Sequence, residues 1–138
     1  MSEFPALSRT ELLEGLLALK SPAVMVHKNP DGDAVGSAVA LVRYLRAHGV
    51  DATLLSPDPI PARLAFLTED VPYAPTESPR ELVTVDVASL AQAGRLAPTV
   101  DAAAVVYMID HHALSVPFAP HYIRSEASAV GELLFYLL

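Results

Sequence analysis

Three short apolar runs in this chain each hand over, at their carboxyl end, to a carboxylate or an imidazole. Val24-Met25-Val26 leads into His27-Lys28-Asn29-Pro30-Asp31-Gly32-Asp33-Ala34-Val35-Gly36-Ser37. Leu82-Val83-Thr84-Val85 delivers a lone Asp86, and Val105-Val106-Tyr107-Met108-Ile109 leads into Asp110-His111-His112. Such runs read as strands. If the strands are parallel neighbours, their carboxyl ends converge where open α/β sheets bind ligands. Hard oxygen and imidazole donors brought together there have the composition of a divalent-metal site, most simply one for two ions.

The segments between these runs have helical periodicity. Ser8-Arg9-Thr10-Glu11 has capping-box spacing, and Leu12, Leu13, Leu16, Leu17 and Leu19 follow at helical intervals. A helix is expected over 8–20, ending before Pro22, and the first core strand over 23–27. Asn29-Pro30-Asp31-Gly32 is a turn by composition. A helix from about Asp33 to His48 should bury Val35, Val39, Leu41, Val42 and Leu45 and stop at Gly49. Further strands are expected at 51–55, 82–86 and 104–109, with a short one at Tyr122-Ile123. A short helix should lie around 62–67, followed by an irregular proline-containing stretch from Val71 to Pro79. Another helix is opened by Ser89, with Gln92 at capping-box spacing, and a last helix covers 127–138. Strands alternating with helices predict an α/β fold, a parallel sheet with right-handed crossovers and helices on both faces. The last helix stops on Phe135-Tyr136-Leu137-Leu138 without a cap or polar tail, as a chain truncated at its carboxyl end would.

Composition narrows the function classes. At 138 residues the chain suits one domain, and with 52% hydrophobic residues it can fill a core rather than remain disordered. No apolar run approaches the roughly 20 residues that span a bilayer, so no membrane partner is expected. Met1-Ser2-Glu3-Phe4-Pro5 lacks the basic and apolar regions of a secretory signal. The absence of cysteine removes disulfides and thiolate ligands and fits a cytoplasmic protein. The formal charge is −7, and the nine basic residues are scattered from Arg9 to Arg124. Duplex DNA needs a basic cluster that this chain does not have. Bound divalent cations would neutralise several acids locally. The balance therefore favours a small phosphorylated substrate or a short oligonucleotide.

Taken singly, each motif has a plainer reading. Asp31-Gly32-Asp33 alone would be a solvated turn. An EF-hand fails, because counting from Asn29 puts Ala34 where glycine is needed and Ala40 where glutamate is needed. A P-loop fails because no Gly-Lys pair follows. Gly36 and Ser37 serve either close helix–sheet packing or a phosphate held by backbone N–H groups. Asp86 alone would be a strand-end turn or a helix N-cap, and Lys28 an exposed lysine unless it contacts phosphate. His48 and His121, outside any motif, are read as ordinary satisfied histidines. If the strand continues through them, His111 and His112 point in opposite directions. One would then be a ligand, and the other would face substrate or orient a ligand. The agreement of three motifs is what favours metal.

The pattern His-x-Asn-Pro-Asp-Gly-Asp-Ala-x-Gly-Ser, then a strand-ending Asp, then Asp-His-His, resembles the DHH phosphoesterase superfamily. It is most similar to the nanoRNase/pAp-phosphatase branch. The resemblance runs from about residue 20 to the end. It implies that His27 and Asp31 bind one Mn²⁺, Asp33 and His111 a second, and that Asp86 bridges them. Mg²⁺, Co²⁺ or Fe²⁺ suit the same donors. It further implies catalytic roles for Asp110, behind the ligands, and His112, near the scissile phosphate; Lys28 and Ser37, read from the residues themselves, remain weaker candidates for substrate contact. The implied activity is metal-dependent hydrolysis of short oligonucleotides or 3′-phosphoadenosine 5′-phosphate. A cyclic dinucleotide, pyrophosphate or a non-catalytic binding module is the alternative. A homodimer of the full-length protein is also raised. Family members carry a fourth motif, an aspartate ligand, and a carboxyl-terminal substrate-binding domain. Neither lies within residues 1–138, so the expectation is the amino-terminal catalytic domain alone, with weak activity.

Overall fold

A computed structural model describes residues 4–138. Among the described residues the sheet has five strands, β1 (Ala23–Met25), β2 (Thr53–Leu55), β3 (Glu81–Val85), β4 (Val105–Asp110) and β5 (His121–Ile123). All neighbours are parallel, in the order β2-β1-β3-β4-β5. The chain runs outward from β1 to β2 and then returns to lay β3 on the other side of β1. The direction of winding therefore switches between β1 and β3, and a crevice opens at their carboxyl ends. His27 and Asp86 lie just beyond those two ends.

Alternation along the strands sends side chains to two apolar layers. Val24, Val26, Val83, Val85 and Ile109 pack with helices α1 (Arg9–Leu17), α2 (Gly32–Ala47) and α4 (Val130–Leu137). Ala23, Met25 and Leu82 face the other way, against Ala93, Leu96 and Val100. Val100 belongs to a short helix, α3 (Ala97–Ala102). Helices thus cover both faces, as the α/β expectation required. The capping box of α1 forms, with Glu11 N donating to Ser8 Oγ at 3.1 Å and Ser8 N to Glu11 Oε1 at 2.8 Å. In α2, Asp31 is the N-cap, its Oδ1 accepting from Ala34 N at 2.9 Å.

Both sheet edges are shielded. Leu54 N donates to Pro72 O and Ala74 N to Leu54 O, so the irregular proline-containing stretch lies along β2. On the far side, Leu7 N donates to His121 O and His121 N to Pro5 O. Pairing of this kind denies other chains a free edge. No helix among the described residues is long and apolar enough to cross a membrane.

Three local expectations are corrected. Residues Leu90–Leu96 wind as a 3-10 helix and Ser89 makes no side-chain cap, because Gly94 at φ 57°, ψ −132° breaks the helix before α3. The last helix begins at Val130 rather than 127; Ser128 lies ahead of it and bonds to Glu132 in its first turn. The strand carrying Asp110 stops at Asp110, so His111 and His112 do not alternate across a sheet; their rings lie 4.4 Å apart, tilted by 39°.

Candidate metal centre

Asp86 is the centre of the cluster. It follows β3 at φ +64°, a left-handed conformation that Asp and Asn tolerate better than most residues. Its amide donates to Ile109 O at 3.0 Å, fixing it against β4. Only 4% of its surface is exposed, and its two oxygens face different histidines. Oδ2 is 3.5 Å from His27 Nε2, and Oδ1 is 3.3 Å from His111 Nε2. Oδ1 is nevertheless buried without a hydrogen-bond partner. A buried carboxylate oxygen left orphaned costs free energy unless something else pairs with it. A cation between these groups would supply that pairing, so the residues present fit a metal.

The histidines are oriented as ligands would be. His27 Nδ1 lies 2.6 Å from Lys28 O, and His111 Nδ1 lies 3.3 Å from Ala127 O. A carbonyl can only accept, so each Nδ1 carries the proton and each Nε2 is turned into the cluster. His27 Nε2 is also 3.7 Å from Asp31 Oδ1. The Asp86 carboxylate beside it, aided by Lys28 O and Asp31 and opposed by burial, pushes the His27 pKa up to about 9. Without a cation, a proton on His27 takes over part of the role of neutralising the acids.

Two donor groups have the spacing to hold an ion: His27, Asp31 and Asp86, and Asp86, His111 and His112. They share Asp86. Asp31 is the open member, with 60% of its side chain exposed at the helix start. His112 stands in the second group through Nδ1, 3.8 Å from Asp86 Oδ1, but that nitrogen is only 2.7 Å from Asp110 Oδ1. Asp33 stands beside the second group, its Oδ2 4.0 Å from His111 Nε2. Its carboxylate is held by the start of α4: Val130 N donates to Oδ2 at 3.1 Å and Gly131 N to Oδ1 at 2.9 Å. Ser37 Oγ also donates to Asp33 Oδ1, at 3.1 Å, and Ser37 is buried. Its hydroxyl therefore serves Asp33. Lys28 is exposed on the turn, with its amide donating to Gln92 O at 2.7 Å. His48 and His121 lie outside the cluster, their Nδ1 atoms on the carbonyls of Tyr44 and Ala119.

Residues 27, 31, 86, 111 and 112 thus come together, with Asp33 beside them and Asp110 behind His112. Sequence reading did not single out Ser115, Ala127 or the Val130 and Gly131 amides. A hydroxyl three residues past His112 was a weak local signal for Ser115. Nothing local pointed to the others.

The profile of the DHH family, N-terminal domain, matches residues 22–138. This chain belongs to the DHH family. A bifunctional oligoribonuclease and PAP phosphatase NrnA from Thermus thermophilus is 32% identical over 124 residues, covering 88% of this chain and 37% of that protein. The crystal structure of an exopolyphosphatase-related protein from Bacteroides fragilis superposes with a TM-score of 0.81 over 99% of this DHH chain. At 18% identity it shows the shared fold only, and the match covers 44% of its chain. The DHH chain thus spans less than half the length of either relative.

Proposed function

We propose that this DHH chain is the catalytic domain of a divalent-metal-dependent phosphoesterase acting on short oligonucleotides, 3′-phosphoadenosine 5′-phosphate, or both. The observation that carries this reading is Asp86, a buried carboxylate shared by two donor groups with one oxygen left unpaired. His27 and Asp31 would hold one ion, His111 and Asp33 a second, with Asp86 common to both. Asp33 Oδ2 accepts one amide and so keeps a lone pair for a cation. Oxygen and imidazole donors without sulfur suit Mn²⁺, and also Mg²⁺, Co²⁺ or Fe²⁺. When bound, such ions supply a water activated near neutral pH and offset charge developing on the phosphoryl oxygens.

The chain's own residues do the rest. His27 and His111 keep Nε2 inward because backbone carbonyls hold Nδ1. His112 is more exposed than His111, 45% against 18%, and is the imidazole available to a phosphate. With Nδ1 tied to Asp110, its Nε2 is the atom left for substrate, and only when it carries a proton of its own can it donate to a phosphoryl oxygen or pass that proton to the leaving oxygen. Lys28 adds positive charge at the exposed turn. The absence of a basic cluster supports a short substrate.

The test is hydrolysis under single-turnover conditions with excess chain, stripped of metal and reloaded with Mn²⁺. Substrates would be RNA of two to five nucleotides, 3′-phosphoadenosine 5′-phosphate, pyrophosphate, polyphosphate and a cyclic dinucleotide. Metal-dependent cleavage of the first two, lost in Asp86→Asn, is expected. Cleavage confined to the inorganic substrates would overturn the substrate assignment. Metal binding without any turnover would point to a binding module.

A further inference from the structure

Asp110 closes β4 with no exposed surface, and each of its carboxylate oxygens has a side-chain partner. Oδ1 takes His112 Nδ1 at 2.7 Å, and Oδ2 takes the hydroxyl of Ser115. Ser115 sits on the turn after the histidines, its amide donating to His112 O at 3.3 Å. Its hydroxyl oxygen is also 2.7 Å from that carbonyl. A hydroxyl has a single hydrogen to give. The carbonyl already has an amide donor, whereas a buried carboxylate offers the stronger, charge-assisted bond. The hydroxyl hydrogen therefore goes to Asp110.

We infer that Ser115 is a positioning residue: it locks the Asp110 carboxylate, which in turn holds His112 away from the metal ligands and keeps its Nε2 turned outward. The need for a lock follows from the distances. His112 Nδ1 has a second carboxylate within reach, Asp86 Oδ1 at 3.8 Å. The terminal torsion of an aspartate is broad, so a carboxylate held at one oxygen alone can swing. If Asp110 swung, His112 Nδ1 would be released toward Asp86 and His111, with which it already has the spacing of a donor group, and His112 would no longer be free for substrate. Ser115 removes that freedom by occupying the second oxygen.

The importance of this lock for turnover rests on the phosphoesterase reading, but the lock itself can be read without activity. In metal-free chain with ¹⁵N-labelled histidine, long-range ¹H–¹⁵N spectra at one mildly alkaline pH should show His112 with its proton on Nδ1 alone. A slowly exchanging, strongly downfield Nδ1–H resonance should accompany it. Ser115→Ala should give a tautomer mixture and lose the downfield resonance, and Ser115→Thr, which retains the hydroxyl, should restore both. Ser115→Cys, nearly the same size with a weak donor, makes the same comparison should the alanine variant fail to fold. An unchanged His112 tautomer and resonance in Ser115→Ala or Ser115→Cys would overturn the inference, as would failure of Ser115→Thr to restore them. Where hydrolysis is measurable, kcat should fall about tenfold with KM unchanged, the scale usual for outer partners of metal sites. Absence of hydrolysis in the unsubstituted chain would count against the phosphoesterase reading and leave the tautomer result standing.

Discussion

In the metal-free chain, the pairing of His27 with Asp86 should make stability fall with rising pH, and Asp86→Asn should abolish that fall. His27 is held at about 9 against an ordinary 6.5, chiefly by the Asp86 carboxylate 3.5 Å away. At roughly 1.4 kcal/mol per pH unit, that displacement is worth on the order of 3 kcal/mol to the folded state. The sign follows from proton counting. Between these two values the folded chain binds more protons than the unfolded one, so stability declines as pH rises. The contribution is fully present below about pH 6.5 and is lost as pH passes through about 9.

For a domain of this size about 3 kcal/mol corresponds to a Tm change on the order of 10 °C. Asparagine is the right replacement because it tolerates the left-handed backbone at position 86, φ +64°. Alanine there would add backbone strain to the loss of charge. The assay is thermal unfolding by circular dichroism in chelator, from pH 6 to pH 10 in steps, for both proteins. Wild-type Tm should drop between about pH 6.5 and about pH 9 and level off above, and the variant should stay nearly flat. A variant that retains the wild-type slope, or a wild-type His27 that titrates near 6.5 by NMR, would refute the reasoning.

The same proton must leave His27 when a cation takes Nε2. Calorimetric Mn²⁺ binding at pH 7.5, compared in buffers of different ionisation enthalpy, should therefore report close to one proton released, and none in His27→Ala. Asp86→Asn should weaken Mn²⁺ binding more than His112→Ala, because Asp86 belongs to both donor groups while His112 Nδ1 is committed to Asp110; the reverse order in titrations would contradict the sharing. Gly15→Ala should lower Tm although alanine is the better helix former by about 1 kcal/mol. The added Cβ would lie 2.6 Å from Tyr107 Oη and 2.8 Å from Cζ, and such overpacking costs about 1–3 kcal/mol. Asp33→Ala should cost about 1–2 kcal/mol in chelator and speed amide exchange at Val130 and Gly131, because their N–H groups lose their acceptor. Unchanged exchange there would show that the carboxylate does not cap α4.

The fold was legible where the physics is local. Buried parallel strands show as short apolar runs, so 24–26, 82–85 and 105–109 could be placed, and with them the donors at their ends. Ser8 with Glu11 was legible because both halves of a capping box lie within one turn. The same spacing at Ser89 and Gln92 misled, because Gly94 five residues on takes a left-handed conformation that no capping pattern encodes. The alternating directions of the two histidines, expected if β4 ran on through them, failed for a related reason. Their directions depend on where β4 stops, and it stops at Asp110, after which Ser115 bonds back to His112 O and Asp110. Asp33 was recognised as a candidate ligand, but its bond to Val130 spans 97 positions and has no counterpart in local sequence.

That long-range bond ties the last helix to the site. The first amides of α4 need acceptors, and Ala129 at the cap position has no side chain to offer one. Asp33 fills the gap from the opposite end of the chain, and its negative charge is favoured at the positive end of the helix. In return the amides fix a carboxylate that would otherwise swing on the first turn of α2. Gly131 leaves room for this, since even a Cβ there would come no closer than 3.4 Å to Asp33 Oδ1. Ser37 Oγ, one turn further along α2, adds the third donor to the same carboxylate. Pre-positioning matters here because His27, Asp86 and His111 are set by strand ends, whereas Asp31 and Asp33 sit at the start of α2. Holding α4 against α2 through Asp33 therefore fixes one of the two candidate ligands whose backbone the sheet does not fix directly.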